Sequence, residues 1–332
     1  MSELVREVFG EPFSMRKAYG QSLVDLGRAR SDVVVLSADV SNSDHSFMFE
    51  AVYPERFFNV GIAEQALVDV AVGLANGGKV AIANTFAFLF ATRALEQVRT
   101  HLCYGEANVK LAAAYAGLSD SFDGPTHHAI TDIAIMRSLP NMTIVVPADP
   151  AGVSKLLPQV ASWEGPVYFR LCRNEVPAIF GDAYEPEVGK GVLLVEGRDL
   201  TIIGCGVMVA RCLEAARRLA KVGVQARVVE MHTIKPLDRE MVIRSASETG
   251  ALVTAEEHSV IGGLGGAVAE VIVETEPVPM ERVGLADTFA ETGPYKELME
   301  KYGMGVDAIL AAAERALARK AGSVSLRSRR VG

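Results

Sequence analysis

The chain has 332 residues, of which 49% are hydrophobic and 22% are charged, and its formal net charge is −8. This length and composition are typical of a globular protein with two domains, and no apolar run reaches the roughly 18 residues of a membrane-spanning helix. Because the acidic balance also argues against nucleic acid as a partner, we expect neither a membrane nor a nucleic-acid role.

The N-terminus lacks the pattern of a signal peptide. The cysteines have neither the spacing of a metal site nor that of a disulfide framework, and they are Cys103, Cys172, Cys205 and Cys212. Reduced thiols are the default for such a chain, so we expect a cytoplasmic protein.

The first half of the sequence alternates apolar strands with helices. We predict strands over residues 33–36, 79–83, 109–114, 143–147 and 167–170. Helices are predicted over residues 15–28, 64–75, 95–104, 130–139 and 150–160. Continuous apolar strands separated by helices indicate a doubly wound, mostly parallel sheet with both faces covered.

The second half repeats this architecture more briefly. Strands are predicted over residues 200–203, 225–229 and 251–254, and helices over 208–222, 238–247, 267–274 and 306–319. The segment between the halves contains prolines and glycines without periodicity, which is typical of a linker. We therefore predict an α/β fold with two doubly wound domains, 1–176 and 192–320, a linker over 177–191, and a basic, disordered tail over 321–332.

Two glycine-rich turns leave alternatives open. Gly-Cys-Gly at 204–206 follows a strand and opens a helix, and Glu230 ends the next strand where a ribose-binding acid would lie. Val209 takes the place of the third glycine, so a tight turn is the alternative to a nucleotide-binding regulatory module that uses Gly204 and Glu230. Gly-Gly-Leu-Gly-Gly at 262–266 could hold an anion at a helix N-terminus or allow close backbone packing.

Glu64 is the first candidate site residue. It follows an aromatic turn and starts a helix that continues with an apolar run at 66–75. Burial disfavours the charged form of a carboxylate, so such a residue has either a structural partner or a chemical task. Negative charge is itself favourable at a helix start, and this residue alone does not decide between the two.

The loop Asp-Ser-Phe-Asp-Gly-Pro-Thr-His-His at 120–128 is the second candidate. Open α/β sheets bind ligands at polar loops that follow buried strands. A carboxylate and two imidazoles can bind hydroxyls and exchange protons near neutral pH. A His–Asp metal site is the rival, but no third ligand has suitable spacing, and we predict no metal ligand in this chain.

Several motifs together resemble those of the transketolase family in their order and spacing. They are Gly-Ile-Ala-Glu-Gln (61–65), Asn-Thr-Phe-Ala-Phe (84–88), Arg-Ala-Leu-Glu-Gln (93–97), Asp-Gly-Pro-Thr-His (123–127), Ser-Leu-Pro-Asn-Met (138–142), Val-Val-Pro-Ala-Asp (145–149), Gly-Pro-Val (165–167) and Glu-Glu-His (256–258). The chain resembles the C-terminal subunit of a split bacterial transketolase, in which a pyrimidine-binding domain precedes the family's C-terminal domain.

The resemblance implies that the first motif binds the pyrimidine end of thiamine diphosphate. Glu64 matches the catalytic glutamate that hydrogen-bonds N1′ of the aminopyrimidine and thereby controls its protonation. Phe86 matches the aromatic wall against this ring. The second ring of the wall matches Phe88 or Phe90.

The resemblance also implies a sugar-binding site. Asp123 and the catalytic His127 match residues that bind sugar hydroxyls and stabilise the transferred two-carbon unit. Arg16 and Arg173 match the arginines that hold a substrate phosphate, a task that suits planar guanidinium donors. The matching serine position is filled by Ser41 or Ser43.

Two residues depart from the family pattern. Tyr115 stands where the family has a substrate-binding histidine, and Phe122 stands where an acidic residue is usual. Tyrosine can donate a hydrogen bond, but it is larger than histidine and stays neutral. The resemblance therefore implies a substrate-binding pocket that is altered near the reacting carbons of the ketose.

The Gly-Asp-Gly motif of the family's diphosphate-binding half does not occur in this sequence. The resemblance therefore implies that thiamine diphosphate and Mg²⁺ are shared with an N-terminal partner subunit, which holds the diphosphate and the metal, in an α₂β₂ heterotetramer. The implied activity is transfer of a two-carbon ketol unit from a phosphorylated ketose to an aldehyde, with no activity in the absence of the partner.

Two other thiamine enzymes are alternatives. A deoxyxylulose-phosphate-synthase-like enzyme is compatible with Arg93 as a substrate-binding residue near the aromatic wall. A 2-oxo acid dehydrogenase beta subunit fits less well, because Asp-Gly-Pro-Thr-His is unlike the matching segment of that group.

Overall fold

The structure of the protein is a computed structural model that describes residues 3–330. The elements of its first half, in chain order, are β1 (Val5–Ser14), α1 (Met15–Ala29), β2 (Val33–Ser37), α2 (Ser41–Asp44), α3 (Phe47–Val52), β3 (Phe57–Asn59), α4 (Glu64–Asn76), β4 (Val80–Phe86), α5 (Ala87–Ala91), α6 (Leu95–Gln97), β5 (Val109–Ala114), α7 (Asp132–Ser138), β6 (Thr143–Val145), α8 (Pro150–Ser162), β7 (Val167–Arg170) and β8 (Glu175–Phe180). The helix predicted over 95–104 is irregular, because a π-helical segment, Val98–Tyr104, follows α6.

The second half contains six further strands and five helices among the described residues. They are β9 (Val192–Val195), β10 (Leu200–Gly204), α9 (Met208–Lys221), β11 (Ala226–Glu230), β12 (Thr233–Lys235), α10 (Arg239–Thr249), β13 (Leu252–Ser259), α11 (Leu264–Glu274), β14 (Met280–Leu285), α12 (Tyr295–Lys301) and α13 (Val306–Arg330). Within residues 3–330, no helix is long and apolar enough to cross a membrane.

The first sheet has seven strands in the order β12-β6-β7-β5-β4-β2-β3. Neighbours from β6 to β3 pair in parallel, and β12 runs antiparallel to β6. Strands β2 and β5 are buried along their whole length, because helices cover both faces of a parallel sheet. The predicted α/β class is confirmed.

The second sheet has five strands in the order β14-β13-β10-β11-β9. The first four pair in parallel and β9 is antiparallel to β11. Since β12 leaves the second half of the chain and joins the first sheet, the two halves share backbone hydrogen bonds as well as packing.

A buried ion pair of the first half also binds the backbone of the second half. Arg170 Nε donates to Asp132 Oδ2 at 2.7 Å, and Arg170 Nη2 donates to the carbonyl oxygen of Glu257 at 3.0 Å. Glu257 Oε1 in turn accepts from the backbone N–H of Leu118 at 2.9 Å. Removing one partner of a buried ion pair costs about 3–5 kcal/mol, so Arg170 is firmly held. Its bond to Glu257, with the bond from Leu118 to Glu257, fixes the second half against the loop that follows β5.

Two segments differ from the prediction. Residues 177–180, predicted as linker, belong to β8, which pairs with β1 in a two-stranded antiparallel ribbon where Pro12 lies opposite Pro177. The prolines of this segment suggested a loop. Proline lacks the N–H that a central strand donates, but each strand of a two-stranded ribbon is an edge strand, where proline is tolerated. The predicted disordered tail is also a helix as far as Arg330, since one internal glycine, Gly322, costs a helix only about 1 kcal/mol. Residues 331–332 lie outside the described residues.

Candidate active site

Most of the predicted site residues follow the carboxyl ends of strands in the first sheet. Because these strands are parallel, their carboxyl ends meet at one edge, where open α/β sheets bind ligands. The strands and the residues that follow them are β2 with Ser41 and Ser43, β3 with Glu64, β4 with Phe86 and Phe88, β5 with Tyr115, and β7 with Arg173.

Glu64 is the first residue of α4, and only 2% of its surface is exposed. Both of its carboxylate oxygens accept from Arg93 Nη1, at 3.3 and 3.2 Å. The Arg93 side chain is 54% exposed, so it approaches the buried carboxylate from the solvent side. Glu64 therefore has a structural partner that a ligand could displace without opening the core.

The aromatic side chains at the end of β4 lie next to His127. The Phe86 ring is 6.4 Å from the His127 ring and the Phe88 ring is 4.9 Å from it, centroid to centroid. Phe90 is fully buried in the hydrophobic core. Side chains two positions apart in a helix point in nearly opposite directions, so α5 directs Phe88 toward His127 and Phe90 toward the core. Of the two alternatives for the second ring of the wall, Phe88 therefore lies next to His127 and Phe90 lies in the core, and the assignment to Phe88 stays a prediction.

Tyr115 connects the aromatic wall to the predicted arginines. Its ring stacks on Phe86 with centroids 4.5 Å apart and planes 9° apart. The guanidinium carbon of Arg173 lies 4.7 Å from the centroid of the Tyr115 ring, and that of Arg16 lies 5.4 Å from it. Tyr115 has a positive φ of 62°, a conformation that costs a residue other than glycine about 1–3 kcal/mol and is concentrated at functional sites.

Arg16 and Arg173 form a cationic pair. Arg16 Nε donates to the carbonyl oxygen of Arg173 at 2.9 Å, and Arg16 Nη1 lies 3.3 Å from Tyr115 Oη. Arg16 Nη1 also donates to the carbonyl oxygen of Ser43. Ser43 thus contributes its backbone to this cluster, and the two guanidinium groups have the planar donor geometry that suits an anion.

Two carboxylates hold Arg173 from the loop that follows β5. Arg173 Nη1 donates to Asp120 and lies 3.3 Å from Asp123 Oδ2. Asp120 is fully buried, and burial together with the neighbouring Asp123 raises the pKa of Asp120 to about 7. The neighbouring Asp120 carboxyl lowers the pKa of Asp123. Asp120 was not among the predicted site residues, although its place in a polar loop three residues before Asp123 was a usable signal.

The two histidines of this loop have different surroundings. His127 is partly exposed, and its Nδ1 lies 3.0 Å from Thr126 Oγ1. His128 is 6% exposed, and neither of its ring nitrogens has a hydrogen-bond partner among the described residues. Burial lowers the pKa of His128. His127 is therefore the imidazole that is available to a ligand beside the aromatic wall.

A loop of the second half packs on the same segment. Gly293 N donates to the carbonyl oxygen of Ser121 at 3.1 Å. Gly124 has a φ of 82°, and a Cβ there would lie 2.3 Å from Thr292 Oγ1. Only glycine meets both conditions, so the position of Asp123 and His127 depends on both halves of the chain.

The partial dinucleotide fingerprint is explained by packing. Glu230 is fully buried, and its Oε2 accepts from Tyr184 Oη at 2.8 Å. Burial raises the pKa of Glu230 to about 8. A Cβ on Gly204 would lie 2.7 Å from Cys212 Sγ. The acid is therefore not available to a ribose, and the glycine is required for close approach of β10 and α9.

The turn at 262–266 holds an anion that belongs to the chain itself. The carboxylate of Glu256 accepts from the backbone N–H of Leu264 at 2.7 Å and of Gly265 at 2.8 Å, at the start of α11. A Cβ on Gly263 would lie 1.9 Å from Glu256 Oε2. Both interpretations of this turn thus apply, because the glycines let the helix approach a carboxylate.

The side chains of the site fit the aminopyrimidine end of thiamine diphosphate. A buried carboxylate with a displaceable partner, Glu64, and a partly exposed aromatic wall, Phe86 and Phe88, suit an aminopyrimidine that needs one ionic hydrogen bond and a stacking surface. Within the part of the chain that the structure describes, no group of three His, Cys, Asp or Glu side chains could hold a metal ion.

Comparison with known families accounts for both halves of the chain. Residues 11–178 match the pyrimidine-binding domain of transketolase, and residues 189–309 match the C-terminal domain of transketolase. The chain belongs to the transketolase family, whose members depend on thiamine diphosphate.

Individual relatives are similar over nearly the whole chain. The chain is 40% identical over 314 residues to the 6-deoxy-6-sulfo-D-fructose transketolase subunit SqwH of a Clostridium species, an alignment that covers 95% of this chain and 98% of that protein. It is 37% identical over 295 residues to one of the subunits of apulose-4-phosphate transketolase from Phocaeicola vulgatus, covering 89% and 94%. A solved structure described as a split gene transketolase, inactive beta4 tetramer, has a TM-score of 0.88 and 49% identity and covers 93% of this chain and 99% of its own.

Proposed function

We propose that the chain is one subunit of a thiamine-diphosphate-dependent transketolase that moves a two-carbon ketol unit from a ketose phosphate to an aldehyde acceptor. The observation that carries the proposal is the grouping of a buried carboxylate, an aromatic wall, an imidazole and two guanidinium groups at one edge of the first sheet. A cofactor with an aminopyrimidine ring and a sugar phosphate bound next to it would together use this combination.

Glu64 would hold the cofactor by accepting a hydrogen bond from pyrimidine N1′ and by stabilising a proton at that atom. The ion pair between Arg93 and Glu64 would break when this ring binds, because the exposed Arg93 side chain can move into solvent. Phe86 and Phe88 would pack against the ring. Thiamine diphosphate, when bound, would supply the nucleophilic carbon and the electron sink that cleavage of a carbon–carbon bond within the ketose requires.

The donor sugar would lie between the substrate loop at 120–128 and the arginine pair. Asp123 and His127 would bind its hydroxyls, and His127 would exchange protons with the reacting oxygen. Arg16 and Arg173 would hold the terminal phosphate. Subunits related to this chain are named for 6-deoxy-6-sulfo-D-fructose and apulose 4-phosphate, and both of these sugars have an anionic group.

The diphosphate and Mg²⁺ would be held by a second polypeptide, in an α₂β₂ heterotetramer. Exposed apolar side chains flank Glu64 along the chain: Phe58 is 39% exposed, Ile62 is 76% exposed and Val70 is 42% exposed. Clusters of exposed apolar residues commonly mark an interface. The related split gene transketolase structure is described as an inactive beta4 tetramer, which agrees with a subunit that needs another chain for activity.

The test is to reconstitute the chain with the product of a neighbouring reading frame that encodes a Gly-Asp-Gly domain. We expect two-carbon transfer from ketose phosphates to aldehydes, detected by mass spectrometry of the lengthened ketose and the shortened aldose, and dependent on both thiamine diphosphate and Mg²⁺. Pyruvate consumption with release of CO₂ would instead favour the deoxyxylulose-phosphate-synthase-like alternative. A complex that binds the cofactor and processes none of these donors would contradict the proposal.

A further inference from the structure

Arg173 is held between an aromatic ring and two carboxylates, and binding an anion does not by itself require these contacts. Its guanidinium group lies 4.7 Å from the centroid of the Tyr115 ring. Its Nη1 atom donates to Asp120 and lies within 3.3 Å of Asp123. The side chain is still 32% exposed, so the other nitrogen atoms of the guanidinium can reach a ligand.

Asp120 differs from Asp123 in its surroundings. Asp123 is 54% exposed, whereas the Asp120 side chain has no exposed surface. Asp120 Oδ1 accepts from Arg173, and Asp120 Oδ2 has no hydrogen-bond partner among the described residues. Asp120 is therefore behind Arg173 with respect to solvent, so it can act on a ligand only through the arginine.

The local charge balance depends on Asp120. Arg16 and Arg173 contribute two positive charges, and Asp123 contributes one negative charge. An ionised Asp120 lowers the remaining positive charge by one, in a buried place where the effective dielectric constant is low and the effect is large. Anions with two charges are affected more than anions with one charge or none.

We propose that Asp120 is a positioning residue that sets how strongly the site selects doubly charged anions, because it holds Arg173 against Tyr115 and cancels part of its charge. This inference rests on the proposed function, in which Arg16 and Arg173 bind the phosphate of the donor. A carboxylate at this position weakens selection for a dianionic phosphate relative to a singly charged or uncharged end of the sugar.

The proposal has a pH dependence whose direction follows from the structure. Burial and Asp123 raise the pKa of Asp120 to about 7. Below that pH Asp120 is neutral and Arg173 keeps its full charge, whereas above it the carboxylate opposes the arginine. Dianion binding should therefore weaken as the pH rises through about 7.

Other charged groups face this loop and need a control. His127 and His128 belong to the same loop, and Glu291 lies in the second-half loop that packs on it, where it is paired with Lys301. Protonation of His127 would also strengthen anion binding at low pH. The pH dependence must therefore be compared between the wild-type chain and a variant that lacks only the titration of Asp120.

The test is calorimetric titration of the full-length chain with sulfate, which keeps two negative charges between pH 6 and pH 8.5, at constant ionic strength. In the wild type we expect the dissociation constant for sulfate to rise about tenfold over this range. Asp120→Asn keeps an oxygen that can accept from Arg173 and removes the charge. We expect this variant to bind sulfate about tenfold more tightly than wild type at pH 8.5, and nearly independently of pH.

The matched control is Asp182→Asn, which removes one exposed carboxylate from the segment between the halves and should leave the pH dependence of sulfate binding unchanged. Equal pH dependence in wild type and Asp120→Asn would assign the effect to histidine and overturn the proposal, as would wild-type binding that does not change with pH. If Asp120→Asn does not fold, His127→Gln removes the competing imidazole instead: a pH dependence of sulfate binding that persists in this variant supports the role of Asp120, and one that disappears overturns it. Since sulfate binding requires no turnover, it can fail independently of the proposed activity, which the reconstituted complex tests separately.

Discussion

The substitution Glu64→Gln separates the chemical role of this residue from its structural role. It keeps the shape of the side chain and removes the charge that would support protonation of the cofactor ring. The structural loss is limited to the contact with Arg93, whose side chain is 54% exposed. A partly exposed ion pair contributes at most about 1 kcal/mol, so the free energy of unfolding should fall by no more than that.

The catalytic loss should be much larger than the structural one. Removal of an acid–base group typically lowers the rate at least about 10²-fold, which corresponds to about 2.7 kcal/mol of transition-state stabilisation. The assays are denaturant unfolding of the chain and coupled ketol transfer by the reconstituted complex at saturating cofactor. The control is Glu96→Gln, which neutralises an exposed glutamate on α6, three residues after Arg93 in sequence.

Two results would refute this reasoning. Turnover of Glu64→Gln within about threefold of wild type at saturating cofactor would show that the carboxylate has no acid–base task. A loss of unfolding free energy of about 3 kcal/mol or more, together with failed assembly, would show that Glu64 is mainly structural. In either case the assignment of the pyrimidine-binding position would have to be abandoned.

Three further substitutions test the rest of the site and the fold. Arg173→Ala should raise KM about tenfold or more for phosphorylated donors with little change in kcat, because a clamp remote from the cleaved bond binds the ground and transition states similarly; an equal effect on unphosphorylated donors in steady-state assays would make Arg173 structural. Tyr115→His should shift the ratio of kcat/KM values toward the donors of ordinary transketolases, and an unchanged donor profile would show that this position does not select the sugar. Glu230→Gln should make the free energy of unfolding depend less on pH. Because the folded-state pKa of Glu230 is raised to about 8, wild-type stability falls as the pH rises from the unfolded-state pKa toward that value. In urea unfolding between pH 6 and pH 9, the variant should therefore lose less stability than wild type, by about 1 kcal/mol or more. Parallel curves would mean that Glu230 is already ionised beside Tyr184.

The sequence predicted the first sheet well because its strands are continuous apolar runs with both faces buried. It also predicted which residues would follow the strand ends, since parallel strands bring their carboxyl ends to one edge. It did not predict β1 and β8, whose prolines obscure an edge pairing between residues far apart in the chain. Local patterns do not identify a partner strand at that separation.

The details of the site depended on long-range contacts and on side-chain direction. Asp120 and Arg173 are 53 residues apart in sequence, and their contact follows only from the adjacent positions of β5 and β7 in the sheet. The choice between Phe88 and Phe90 required the direction of a five-residue helix. Glu230 lost its proposed ribose-binding role because Tyr184, 46 residues earlier, reaches it within the core.

The central claim is that this chain provides the pyrimidine end of the cofactor site and requires a partner for the diphosphate end. The most direct measurement compares the purified chain, the purified Gly-Asp-Gly partner and their equimolar mixture by light scattering and by ketol transfer with thiamine diphosphate and Mg²⁺. The account predicts no turnover by either chain alone, and a mixture with the mass of two copies of each chain and full activity. Full thiamine-diphosphate-dependent turnover by the isolated chain would contradict it.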